Sequence, residues 1–382
     1  MNRKKWLGTA FIIVIIILSA LSLTTMASLS FPKGQNEHGK SYYYLARQAI
    51  WLFIGGLGFL LTANLNYKKY RDIIKYFYVL GIFALVMVLL IGKTSKGAKR
   101  WITLGSFAFQ PSEFVKVILI ITLATLVYNL KYGIKNRDRI KKLPWMSSIA
   151  IMGLTGIYSC LIILEKSFSN TAQIVIIGII YLLAAEIKFS IISIFTVIIA
   201  ISGWLGITTV GYRASRLASY MGENLGFHTY HSLIAIGSGE FSGRFYGNGL
   251  QKYGFLPEIH TDYIFSGYAE ENGFLGVVFL LGLYAALLII IGIALIKIKD
   301  VYAKYLLIGI FIMFATQVIG NVAVVSNVIP STGIPLPMMS YGGSTTIVMM
   351  MTLGIVYNII RALYKQEMGK NLDEMNEIDY KV

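Results

Sequence analysis

The chain has 382 residues, of which 56% are hydrophobic and 14% charged, and its mean hydropathy is +0.67. A water-soluble domain carries about a quarter charged residues, so this composition excludes a fold bathed in water on all sides. The formal charge of +16 falls in short basic clusters between apolar runs, a pattern of membrane-flanking charge and contact with anionic lipids, which excludes a nucleic-acid reading.

The first predicted element covers 6–30. Met1 to Lys5 is basic, and the apolar run after it outlasts a signal-peptide core of roughly 7–15 residues, so it reads as a retained first span. Further spans are predicted near 45–64, 73–92, 113–130, 146–164, 170–186, 190–210, 272–296, 303–327 and 342–363. The expected fold is an all-α polytopic membrane protein of about ten transmembrane helices, one domain over 1–382 with a long loop after the seventh span. The lone cysteine, Cys160, sits in an apolar run and reads as a small buried residue; a disulfide within the chain is impossible. No internal repeat and no matched pair of broken helices of the transporter kind is visible.

Orientation follows from charge. With the N-terminus inside, the segments 1–5, 65–72, 131–145, 187–189, 297–302 and the tail 364–382 face the cytoplasm. They hold Lys68, Lys69, Arg71, Lys131, Lys135, Arg137, Arg139, Lys141, Lys142, Lys297 and Lys299, in keeping with the positive-inside rule. The acidic tail, with Asp373, Glu374, Glu377 and Asp379, reads as a solvated, mobile end. The outer loops are then 93–112, 211–271 and the proline-bearing 328–341. A connection as long as 211–271 is more often functional than not.

Three constellations on those loops carry chemistry. The first runs from Ser95 through Lys96, Lys99, Arg100 and Trp101 to Gln110-Pro111-Ser112-Glu113 and Lys116. Pro111 and Ser112 open the fourth span. Glu113 and Lys116, three apart, share a helix face and can pair, either as a salt bridge at the membrane edge or as a charged cavity wall. An outer basic cluster of Lys96, Lys99 and Arg100 runs against the topology rule. A phosphate or pyrophosphate is the simplest ligand to account for it, and the forked Arg100 suits that ligand.

The second constellation is Leu256-Pro257-Glu258-Ile259-His260-Thr261-Asp262-Tyr263-Ile264-Phe265, followed by Glu270 and Glu271. The latter two are expected to cap the N-terminus of the eighth span and favour its dipole. Asp262, between His260 and an aromatic run at the membrane surface, is expected to be partly desolvated and therefore a stronger base than an exposed carboxylate. The third is Pro330 to Thr345. Its prolines and its Gly342-Gly343 pair read as a structural re-entrant turn, with Ser340 and Ser344 as candidates to line a site.

In this order and on these loops, the motifs resemble those of the SEDS family of bacterial cell-wall synthesis (FtsW, RodA and SpoVE). The matching stretches are Lys96-Gly97-Ala98-Lys99-Arg100-Trp101, Gln110 to Lys116, Leu256 to Phe265 with Tyr263 for the usual Phe, and Pro335 to Ser344. The resemblance spans nearly the whole chain. It departs at Glu165-Lys166-Ser167-Phe168-Ser169-Asn170-Thr171, where the family usually has P-D-x-G-T, and at Gly239 to Gly249, usually richer in glycine. Tyr42 to Gln48 with Trp51 look more like the FtsW branch, and Gly333 to Pro337 more like RodA; the reading leans to the division branch.

The resemblance implies a peptidoglycan glycosyltransferase that polymerises lipid II on the outer face of the bacterial cytoplasmic membrane. It implies a class B penicillin-binding protein as partner, along with other division or elongation proteins. It places the essential carboxylate on Asp262, acting as general base in an inverting transfer with undecaprenyl pyrophosphate leaving. Lys96, Lys99, Arg100, Glu113, Lys116, Glu258, His260, Ser340 and Ser344 are the expected substrate-binding residues, with Arg100, Lys96 or Lys116 meeting the pyrophosphate. No dedicated metal site is expected. A divalent cation could share the pyrophosphate, but Asp262 and Glu258 alone make a thin site for it. A lipid II flippase and a non-catalytic scaffold remain the rival readings; the charges cluster near the outer end of the spans, which favours an outer-face site over a through-path.

Overall fold

The computed structural model describes residues 6–95, 98–104, 107–133, 142–208 and 226–379. Its spans fall where apolar runs of sufficient length demand backbone hydrogen bonding within the segment. They are α1 (Trp6–Leu29), α3 (Tyr43–Asn64), α4 (Tyr70–Ile91), α5 (Pro111–Tyr132), α6 (Pro144–Leu164), α7 (Phe168–Ala184), α8 (Phe189–Thr208), α10 (Ile264–Lys297), α11 (Val301–Val325) and α12 (Gly343–Asp379). Among the described residues, eight helices are long and apolar enough to cross a membrane, and α7 and α8 supply two shorter apolar stretches. The protein is a multi-pass membrane protein of all-α type, as expected.

Burial sorts the helices. In α5 and α12, 61% and 67% of the apolar window is buried, against 28% in α3 and α4, so the first two are central and the others face lipid. α12 and α3 approach closely: a Cβ on Gly354 would stand 2.5 Å from the Phe59 carbonyl oxygen, so only glycine lets these backbones meet.

Several features depart from the sequence reading, and Cys160, expected to be buried, is exposed. A short helix, α2 (Phe31–His38), follows the first span, and α9 (Phe227–Ser238) occupies part of the long loop. The 93–112 loop is a three-stranded antiparallel meander of β1 (Lys93–Ser95), β2 (Ala98–Leu104) and β3 (Phe107–Phe109). The last helix continues to Asp379 where a mobile tail was expected. Finally, α10 begins at Ile264, and its helical geometry is interrupted at Gly273 (φ 63°, ψ −165°).

That interruption corrects the role expected of Glu270 and Glu271. They lie just before the break, well past the helix start, and do not cap its N-terminus. The half-helix after the break is capped by loop backbone: Phe274 N–H donates to Glu240 O (2.9 Å) and Leu275 N–H to Phe241 O (3.2 Å). A Cβ on Gly273 would stand 2.3 Å from the Gly243 nitrogen, so glycine is required both for the positive φ and for the approach of this loop.

Candidate functional site

One end of the bundle gathers the ends of α1, α3, α5, α7, α10 and α12 together with the β-meander, α9 and the 326–342 segment. All the described candidate residues lie there. Lys96 falls outside the described residues.

The Leu256–Tyr263 loop is built around Glu258, which takes a positive φ of 58°, and its carboxylate accepts from the Thr261 hydroxyl at 3.0 Å. The next residues are held by their carbonyls. Tyr341 N–H donates to His260 O (2.9 Å), Ser340 Oγ to Thr261 O (2.6 Å), and Asn321 Nδ2 to Asp262 O (2.8 Å). His260 is buried, with its ring 4.9 Å from that of Tyr44 and 5.9 Å from that of Tyr341. The Asp262 side chain stays half-buried, and its Oδ2 borders Gly333, where an added Cβ would stand 3.1 Å from it. His260 and Ser340 therefore shape the loop that carries Asp262. Ser344 is also structural in this conformation: it accepts from Gln110 N–H (3.0 Å) and donates to Ala108 O (3.2 Å), tying α12 to the meander.

Behind this loop, Glu113 and Lys116 pair at 2.9 Å with 2% and 0% of their side chains exposed. The Lys116 ammonium also donates to Gln173 Oε1 (3.0 Å) and Asn170 Oδ1 (3.3 Å), while Glu113 Oε2 faces it as an ion-pair partner that accepts no hydrogen bond among the described residues. Asn170 Nδ2 in turn donates to Ser112 Oγ (3.0 Å). Arg100, half-buried on β2, does not reach toward this pair. Its guanidinium donates to the carbonyl oxygens of Glu165 and Lys166 on the α6–α7 turn. Lys99 is exposed and bonds Leu89 O (3.3 Å).

The Glu165–Thr171 stretch, where the sequence departs from the motif pattern, joins the two halves of the site. Ser169 Oγ donates to Thr332 O (2.6 Å) next to Gly333, while its neighbour Asn170 holds Lys116. Glu165 is fully buried, and among the described residues neither carboxylate oxygen has a hydrogen-bond partner. Burial pushes its carboxyl up to about 8 against the pull of the Arg100 charge, so it holds its proton through most of the neutral range.

A second buried pair, Lys252–Glu271 at 2.8 Å, lies on the α10 side. Ser28 on α1 donates to the same Glu271 oxygen (2.5 Å), and Glu270 accepts the Leu250 N–H (2.7 Å). These bonds fasten the 239–253 loop to the bundle. Sequence reasoning missed Asn170, Gln173, Lys252 and Asn321. The available signal for Asn170, Gln173 and Asn321 was polar side chains inside otherwise apolar spans; Lys252 lies in the loop and offered none. Among the described residues, no three of His, Cys, Asp and Glu gather as metal ligands.

The fold and this motif-bearing end have counterparts. The family model of the cell cycle proteins FtsW, RodA and SpoVE matches residues 8–365. The probable peptidoglycan glycosyltransferase FtsW of Coxiella burnetii is 32% identical over 381 residues, covering 96% of this chain and 100% of that one. Stage V sporulation protein E of Bacillus subtilis is 31% identical over 373 residues, covering 94% and 98%. Among solved structures, a chain of a peptidoglycan synthase complex superposes with a TM-score of 0.76 at 23% identity, over 95% of this chain and 99% of that one. The rod shape determining protein RodA of Thermus thermophilus gives 0.67 at 24%, over 93% and 96%. With a family match from the first span to the last and the four motifs gathered at one end of a shared fold, the chain belongs to the FtsW/RodA/SpoVE family.

Proposed function

We propose that this protein is a peptidoglycan glycosyltransferase that polymerises lipid II, with the motif-bearing end on the outer face of a bacterial cytoplasmic membrane and both termini inside. The observation that carries the reading is the setting of Asp262. Its loop backbone is fixed by successive hydrogen bonds, while its carboxylate remains half-buried beside the small Gly333. A general base needs that combination of fixed position and access.

In the proposed step, an acceptor-sugar hydroxyl attacks the anomeric carbon of the lipid-linked donor. A new C–O bond forms as the bond to pyrophosphate breaks. The hydroxyl proton passes to Asp262, and the bonding electrons leave with undecaprenyl pyrophosphate. One displacement converts an α-linked donor to a β-linked product, and the leaving group needs no protonating acid. Arg100, half-buried on β2, is better placed than Lys116 to meet the pyrophosphate charge, because Lys116 is fully buried. A class B penicillin-binding protein is the proposed partner, a reading supported by the synthase complex among the structural neighbours.

The test is lipid II polymerisation by the purified protein with its partner in detergent, with product length read on a gel. Asp262→Asn should lower turnover about 100- to 10,000-fold, the usual worth of a general base, with unfolding temperature and partner binding unchanged. Wild-type glycan length from that variant would overturn the assignment. Transfer of lipid II across vesicle membranes without polymer would favour the flippase.

A further inference from the structure

Asn321 lies near the end of α11, in no motif of the sequence reading, and its side chain is fully buried. Its single amide nitrogen donates twice, to Asp262 O at 2.8 Å and to Ile334 O at 2.7 Å. An amide NH2 has two hydrogens, so both are used, and they join the two loops that meet at the site. One bond holds the backbone of Asp262. The other holds the residue after Gly333, whose positive φ of 73° turns its Cα toward the Asp262 carboxylate. Asp262 is thus bounded by Asn321 on both sides, through its own carbonyl and through the glycine that borders its Oδ2.

The carbonyls of three successive residues in the loop are each taken by a different donor. His260 O accepts from Tyr341 N–H, Thr261 O from Ser340 Oγ and Asp262 O from Asn321 Nδ2. Two of these donors come from the 340–341 turn, and the third comes from a membrane span. The span supplies rigidity that a loop lacks, since α11 packs against α5, α7 and α10 and its backbone is internally bonded. A helix-borne donor fixes the depth of the carboxylate relative to the membrane, and lipid-linked substrates arrive at a fixed depth.

We infer that Asn321 is a positioning residue for Asp262, setting the carboxylate within reach of the acceptor hydroxyl without touching substrate. The inference rests on the assignment of Asp262 as the base. A misplacement of about 1 Å at a reacting group can lower rate about 100-fold, and that is the effect assigned to loss of this clamp.

The experiment compares Asn321→Asp, Asn321→Ser and Asp262→Asn in the polymerisation assay with varied lipid II. Asn321→Asp keeps the shape and replaces two N–H donors with none when ionised and one O–H when protonated. It should lower kcat about 100-fold with KM for lipid II within about 2-fold. Asn321→Ser keeps one hydroxyl donor and should fall between that variant and the wild type; it carries the same test if Asn321→Asp does not fold. In the background of Asp262→Asn, replacement of Asn321 should lower the residual rate no further. Asn321 variants that polymerise at the wild-type kcat while Asp262→Asn is inactive would overturn the clamp and spare the base. A rise in KM at unchanged kcat would also overturn it, by making Asn321 a binding residue. Full activity of Asp262→Asn would sink the base assignment itself.

Discussion

Apart from a long, exposed Lys33–Glu37 contact on α2 (3.9 Å), the ion pairs at the two ends of the bundle sit in opposite surroundings. At the end away from the site, Lys68 meets Asp300 at 3.2 Å with side chains 55% and 23% exposed, and Lys131 meets Glu186 at 2.6 Å with 17% and 70% exposed. At the site end, Lys116–Glu113 and Lys252–Glu271 have similar lengths but 3% exposure or less on every side chain. Where water reaches the pair, it compensates a lost partner, and such pairs contribute about 0–1 kcal/mol. Where water is excluded, each charge depends on its partner, and removing one costs about 3–5 kcal/mol. Distance alone therefore says little about what a pair does. At the site end the Lys252–Glu271 pair fixes a loop that the hydrophobic effect cannot fix, because α1 and the 239–253 loop meet there through polar atoms, while Lys116–Glu113 ties α5 to α7.

The largest expected stability effect follows from Lys252→Met. It strands the Glu271 carboxylate, removes the donor that Gly247 O and Ser28 share, and frees the loop that caps the second half of α10. A loss of about 3–5 kcal/mol is expected from the stranded charge, read as a lowered midpoint of thermal unfolding in detergent. Pairing it with Glu271→Leu should restore most of the loss, because the uncompensated charge is gone. If Lys252→Met unfolds at the wild-type temperature, the contrast between the two ends fails.

Glu165 sharpens the comparison, since it is a buried carboxylate at the site end with no hydrogen bond to its oxygens among the described residues. Its folded-state proton affinity is raised, so its contribution runs opposite to that of a paired acid. Below the ordinary carboxylate range both folded and unfolded chains hold the proton, and the group costs nothing. As pH rises from there toward about 8, the unfolded chain ionises first and stability falls. Glu165→Gln cannot ionise. Its unfolding temperature should match the wild type near pH 4 and exceed it by a growing margin up to pH 8. A constant offset across that range would show that the carboxyl is paired in solution.

What the sequence made legible divides along the same line. The spans were readable because a membrane imposes length and apolarity on every crossing segment, and α1, α3 and α5 fall within two residues of their predicted bounds. The described motif stretches come together at one end of the molecule. Their side-chain roles were less legible. Ser340, read as a substrate contact, bonds the Thr261 carbonyl in this structure, because a short polar motif looks alike whether its donors face a ligand or a neighbouring carbonyl. Asn170 and Asn321 were hard to read as functional residues because the partners that tie them to the site, Lys116 and the Asp262 carbonyl, are 54 and 59 residues off in the chain. The meander went unread because its strands are three to seven residues long and carry basic residues already read as an anion-binding cluster.

The smallest expected effects lie at the other end, and they separate two roles of one residue. Asp300 accepts from Tyr302 N–H (2.9 Å) and Ala303 N–H (3.3 Å) as the N-cap of α11, and it also faces Lys68 and the Tyr67 hydroxyl. Burial alone would raise its proton affinity, but the Ala303 N–H, Tyr67 and Lys68 together outweigh it and hold the carboxyl below its usual range. Its stabilisation is therefore present at neutral pH and is lost as pH falls through the carboxylate range. Lys68→Ala removes only the exposed partner and should cost less than about 1 kcal/mol, less still in high salt. Asp300→Ala removes the cap as well and should cost about 0.5–2 kcal/mol. The excess of the second over the first, measured by thermal unfolding at neutral pH, separates the cap and the Tyr67 hydrogen bond from the ion pair. Equal costs at neutral pH would mean that the exposed pair carries the stability, and the rule that exposure decides the worth of a charge would fail where it should hold best.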